Sequence, residues 1–113
     1  MKISSVLLLL GVFLFAGLAY AETFAAKEYF ERKCVSCHAA DGGGDVDKAK
    51  FLGVTIDQLN LVKTETINAK RENLKTVLLD GKNSMPAYRK LKEGEVDALI
   101  DYMLGLGRGI AKK

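Results

Sequence analysis

The string Cys34-Val35-Ser36-Cys37-His38 contains both cysteines and the only histidine of the chain. Thiols and imidazole together permit several chemistries. A disulfide between Cys34 and Cys37 would close a tiny loop and restrict almost none of the unfolded chain, so it would stabilise little. A thiol–disulfide oxidoreductase uses the same C-x-x-C spacing, but in an α/β setting after a strand. No strand-like alternation precedes Cys34. A zinc site needs about four ligands. Only three N/S donors exist, so a carboxylate or a second chain would have to complete it. The remaining chemistry fits the spacing best. On a helical turn, positions i, i+3 and i+4 point to one side. Two thiols so placed can add to two vinyl groups at one edge of a haem, and the histidine beneath the same ring can reach the iron. The expected cofactor is therefore one covalent haem c with its iron, held by Cys34 and Cys37 and ligated by His38.

The second iron ligand cannot be histidine, because His38 is the only one. Thioether sulfur is the usual alternative. Beyond the initiator, the methionines are Met85 and Met103. Met103 continues the apolar spacing Val96, Leu99, Ile100, Met103 (i, i+3, i+4, i+7), where methionine is commonly core filler. Met85 stands in a loop before Pro86, the only proline. Pro86 fixes its own φ and biases Met85 towards an extended backbone, a preset way to present sulfur. Met85 is the expected ligand.

These residues need positioning elements, and the pattern predicts helices only. The first is expected over residues 24–34, capped by Thr23, with Ala26 and Phe30 on one face. Residues 39–45, with three consecutive glycines, read as a loop. Asp41, Asp45 and Asp47 read as plain loop residues. A short helix is expected over residues 57–62. A stronger one spans residues 71–80, with Leu74, Val77 and Leu78 as its buried stripe and Gly81 as its stop. The last is expected over residues 94–106, ended by Gly105, Gly107 and Gly109 and lacking a good N-cap. The fold class is all-α: three to four helices and long loops wrapped around one haem c. Loops that long need something to wrap around.

The chain has 113 residues, 17 basic and 14 acidic. That suffices for one domain. Lys2, an apolar run and Ala19-Tyr20-Ala21 have the form of an export signal cut after Ala21. Residues 1–21 are the expected signal peptide and residues 22–113 the mature domain, placed in the periplasm. An uncleaved membrane anchor is the alternative. The mature charge is nearly balanced, which argues against nucleic-acid binding. A domain this small buries only about two-thirds of its unfolded surface and gains from a cofactor in its core.

The mature chain resembles the class I cytochrome c family, small monohaem proteins of bacterial periplasms. The resemblance rests on Ala26 and Phe30 before the first cysteine, Leu99 and Tyr102 in the last helix, and Ser84-Met85-Pro86-Ala87-Tyr88. It implies a crossing of first and last helices, His38 and Met85 as axial ligands, and Leu52 packed on the haem. The family's proline before that leucine, whose carbonyl accepts the histidine N–H, is missing. Phe51 or a neighbour stands there instead.

With both axial positions filled, no site stays open to substrate. The expectation is a non-enzymatic electron carrier, a soluble monomer after cleavage, that meets redox partner proteins by transient docking. Lys75, Lys82, Lys90 and Lys92 would form a mildly basic rim for an acidic partner. The alternative is a haem protein with an open sixth site, for gas sensing or catalysis.

Overall fold

The computed structural model describes residues 23–109. The expected signal peptide lies outside the described residues. Seven helical segments follow in order: α1 (Ala26–Lys33), α2 (Val35–His38), α3 (Val46–Leu52), α4 (Ile56–Leu59), α5 (Thr64–Ile67), α6 (Arg71–Asp80) and α7 (Glu93–Gly107). Among the described residues there is no strand, only an isolated bridge between Lys82 and Met85. None of these helices is long and apolar enough to cross a membrane.

The two longest helices form as their patterns predict. In α7 the stripe Val96, Leu99, Ile100 is 1–4% exposed and forms the centre of the core. It packs on α1, where Phe30 is 3% exposed. The Phe30 and Tyr102 rings meet at 5.3 Å. This is the crossing of first and last helices that the family resemblance implies. α6 lies along α7 through ion pairs: Arg71 reaches Asp97 and Asp101, and Lys75 reaches Asp97 at 3.4 Å. These pairs are largely solvated, so they orient the helices more than they stabilise them. α6 itself has no buried residue. Its stripe of Leu74, Val77 and Leu78 faces a cavity instead.

Several boundaries differ from expectation. α1 starts at Ala26 with Ala25 at the N-cap, so Thr23 caps nothing. The chain breaks into a turn at Cys34, and a separate short helix carries the histidine. α3 follows the expected 39–45 loop, over residues to which the pattern assigned no helix, and takes in Asp47, which was expected in a loop. Asp45 is its N-cap: its carboxylate accepts the Lys48 N–H at 2.8 Å. α4 lies one residue earlier than expected and stops at Leu59. Thr55 and Gln58 form a reciprocal capping box there. α5 was not expected at all.

α7 has a partial cap after all, since the Glu95 carboxylate accepts the Lys92 N–H at 2.8 Å. It runs through Gly105 and ends at Gly107. A Cβ on Gly107 would lie 2.7 Å from Ile67 Cδ1. Glycine there lets α7 and α5 approach closely; it does not fray the helix.

The Asp45 cap predicts a measurable loss. Asp45→Ala should cost about 1 kcal/mol, because an orphan N–H of α3 loses its acceptor. For a domain of this size that lowers the melting temperature by roughly 4–8 °C. Asp45→Asn should melt near wild type. Equal melting of Asp45→Ala and wild type would exclude the cap as a stabilising contact.

Candidate functional site

Helices and loops together border a partly open, mainly apolar cavity of about 400 Å³. Cys34, Cys37, His38, Leu52, Met85 and Met103 all contribute to its wall. Leu74, Val77 and Leu78 of α6 and Leu99 and Ile100 of α7 supply much of the rest. All four residues expected to hold the cofactor are therefore brought to one space. Met103 is there too: it is a wall residue, not sealed core.

The cysteine–histidine turn is held by its own backbone. The N–H groups of Cys37 and His38 both donate to the Cys34 carbonyl, at 3.2 and 2.9 Å. The Gly44 N–H donates to the His38 carbonyl at 2.7 Å, and the Asp45 N–H to that of Cys37 at 2.9 Å. The glycine loop thus folds back over the turn, using positive φ at Gly42 and Gly44. Ala39 follows His38 at φ +64°, ψ 161°. A side chain rarely adopts that conformation, and it costs on the order of 1–3 kcal/mol.

His38 is oriented by the backbone. Its Nδ1–H donates to the Leu59 carbonyl at 2.8 Å. Nδ1 carries the proton, so Nε2 is the free donor for a metal. In the absence of the family's proline, the acceptor is the carbonyl at the end of α4. Phe51 is 83% exposed. Burial lowers the His38 pKa, while the bond to Leu59 opposes that shift. The net effect favours the neutral imidazole that metals bind.

Both cysteines are free thiols. Burial, with the Cys37 charge second, pushes Cys34 up to about 11. A dithiol oxidoreductase needs a lowered thiol pKa, so this environment opposes that chemistry. Among the described residues, no cluster of three His, Cys, Asp or Glu side chains is arranged to hold a metal ion. The zinc alternative lacks its donors.

Met85 sits on a tight turn. The Lys82 and Met85 backbones exchange hydrogen bonds at 3.2 and 2.9 Å, and Asn83 supplies a positive φ of 53°. Tyr88 anchors the far side of this segment. Its N–H donates to the Leu78 carbonyl at 3.0 Å, and its hydroxyl to the Lys33 carbonyl at 3.3 Å. Sequence reasoning missed Tyr88, Leu59 and Lys33 as supports. Of the expected lysine rim, Lys82 lines the cavity and Lys90 an adjoining cleft with Lys33 and Arg89. Lys75 turns away to the carboxylates of α7 and does not belong to the rim.

A helical shell around an apolar slot, with a C-x-x-C-H turn on its wall, defines a c-type cytochrome domain. Residues 21–103 match the family described as cytochrome C oxidase, cbb3-type, subunit III, and the chain belongs to that family. It is also 34% identical over 86 residues to cytochrome c-555 of Methylococcus capsulatus. That match covers 74% of this chain and 60% of the relative. No solved structure matches the chain. The family's cofactor is covalent haem c with its iron. The residues fit it: an apolar slot of suitable size, two free cysteines and a neutral imidazole with one nitrogen already committed.

The half-filled core makes a prediction. The Cys34→Ala, Cys37→Ala double variant should lose the covalent cofactor and with it cooperative melting. Circular dichroism should show reduced helix. A native-like spectrum with a sharp transition would mean that the chain packs without the group. A second variant tests the strained turn: Ala39→Gly should raise the melting temperature, because relieved strain of about 1–3 kcal/mol outweighs the glycine entropy cost of about 0.5–1 kcal/mol. A lower melting temperature would contradict it.

Proposed function

We propose that this domain carries single electrons through one haem c in the periplasm. Cys34 and Cys37 hold the haem covalently, and His38 and Met85 are its axial ligands. The observation that carries this reading is that all four side chains meet one apolar cavity, with His38 oriented by Leu59. The haem supplies a one-electron iron couple.

The chain's own residues do the rest. Cys34 and Cys37 would each hold the haem through a thioether, the thiol proton going to the neighbouring vinyl carbon with no net electron transfer. His38 binds as neutral imidazole, fixed in rotation by Leu59. Met85 offers a soft sulfur, which favours the ferrous state and raises the potential above that of a two-histidine site. The apolar wall excludes water and disfavours added charge. With both axial positions taken, no substrate reaches the metal, which supports a carrier over an enzyme.

Residues 1–21 are a leader removed after Ala21 in this reading, and residues 22–113 work as a soluble monomer. The cleft bearing Lys33, Arg89 and Lys90 adjoins the cavity and shares Lys33 and Tyr88 with it. Its cations suit brief docking of an acidic redox partner, which favours fast encounter over tight binding.

The test uses the native holoprotein. Its mass should equal residues 22–113 plus one haem. The ferric spectrum should show low-spin iron with the weak near-infrared sulfur-to-iron charge-transfer band. Met85→Ala should abolish that band, admit carbon monoxide to the ferrous form and lower the potential. Met103→Leu should retain all three properties, since a volume-conserving apolar swap usually costs under about 1.5 kcal/mol. The reverse pattern would make Met103 the ligand. Rapid carbon monoxide binding by wild type would favour an open-site haem protein for sensing or catalysis.

A further inference from the structure

Gly81 ends α6 at φ +78° and ψ 172°, a region essentially confined to glycine. Conformation is only its first constraint. A Cβ built there would lie 2.7 Å from the Met85 carbonyl oxygen, 3.0 Å from the Ala87 nitrogen and 3.1 Å from the Pro86 carbonyl carbon. Ordinary contact begins at 3.4 Å. All three neighbours are backbone atoms, so no side-chain rotation can relieve the overlap. The main chain of residues 85–87 lies directly against the bare face of Gly81.

That segment is also held on both sides. The Lys82–Met85 backbone pair fixes its start, and the Tyr88 N–H bond to Leu78 fixes its end. The Gly81 N–H itself donates to the Val77 carbonyl at 2.8 Å, so the glycine is part of the α6 terminus. A methyl group at position 81 must therefore displace the Met85 backbone or break one of these bonds.

We propose that Gly81 is a positioning residue for the iron's sixth ligand: its missing side chain seats residues 85–87 on the end of α6 and so sets where the Met85 sulfur lies. The inference rests on the reading of Met85 as that ligand. Gly53 provides the control. It has a φ of +70° with ψ 30°, in the left-handed helical region, and a Cβ there meets nothing within 4 Å. Ala39, at φ 64° and ψ 161°, shows that this fold holds a Cβ in the backbone region of Gly81. Gly53→Ala carries the backbone strain of a positive φ without contact with another chain segment.

The experiment compares Gly81→Ala and Gly53→Ala as haem-loaded proteins, with circular dichroism to confirm folding. Gly81→Ala should lose the near-infrared sulfur-to-iron band, bind carbon monoxide in the ferrous state and show a lowered potential. Gly53→Ala should melt earlier but keep the band and exclude carbon monoxide. If Gly81→Ala does not accumulate, it is expressed at reduced temperature and read by the same spectrum, since Ala39 holds a Cβ at φ 64°, ψ 161° in this fold. A folded position-81 variant that keeps the wild-type band and carbon monoxide exclusion would overturn the proposal. So would loss of the band in Gly53→Ala, since strain alone would then suffice. A wild type without the band, or a Met85→Ala variant that retains it, would instead remove the Met85 assignment beneath the proposal.

Discussion

An apolar cavity of about 400 Å³ is the constraint on which this structure depends. The slot is partly open, and apolar wall left against water forgoes roughly 25 cal/mol per Å² of burial. Among the described residues, the buried apolar set is Phe30, Ala49, Leu59, Val96, Leu99 and Ile100. Four of these six, Phe30, Leu59, Leu99 and Ile100, also line the slot, so core and slot wall are one surface. α6 makes the point locally: it has no buried residue, and its stripe of Leu74, Val77 and Leu78 faces the slot.

Filling the slot would not by itself select a metal ligand. That selection comes from the bond between His38 Nδ1 and the Leu59 carbonyl. It sets the tautomer, limits ring rotation and joins the cysteine turn to the end of α4. The surrounding loop then has a reason for its glycines. Gly44 donates to the His38 carbonyl, while the Gly42 carbonyl accepts the Leu61 N–H at 2.7 Å. The loop is a brace between the turn and the segment that supplies Leu59. Burial of the imidazole lowers its proton affinity, and the same burial raises that of Cys34. Both shifts favour neutral groups in an apolar wall, as desolvation requires.

What was legible in the sequence followed the strength of the local signal. The Cys34, Cys37, His38 spacing is a geometric statement about one turn, and the structure keeps all three on one cavity. The long helices α6 and α7 were readable because their apolar residues repeat over two or more turns. α3 was not, because its start is an aspartate in a glycine-rich run, where Asp45 reads as loop until its N–H acceptor role is seen. α5 is only one turn long and carries no period. Leu59 was invisible for a different reason. Its contribution is a carbonyl oxygen, which every residue possesses, so no residue type could point to it. The missing proline near Phe51 signalled a changed acceptor without saying where it had gone.

The two methionines show why residue type and burial are insufficient to read a site. Both line the cavity, and neither is fully buried. Their backbones differ. Met103 belongs to α7, one turn beyond the buried Leu99 and Ile100, so helix packing dictates its placement. Its backbone is fixed by the packing of α7 on Phe30 of α1, so only side-chain rotation moves its sulfur. Met85 belongs to a turn closed by its own two backbone bonds and seated against Gly81. Its segment is tied to the end of α6 by the Tyr88 N–H bond to Leu78 and to α1 by the Tyr88 hydroxyl on the Lys33 carbonyl. A turn braced by backbone bonds on both sides presents its sulfur from a fixed main chain, which favours Met85 over Met103 as the proposed sixth ligand.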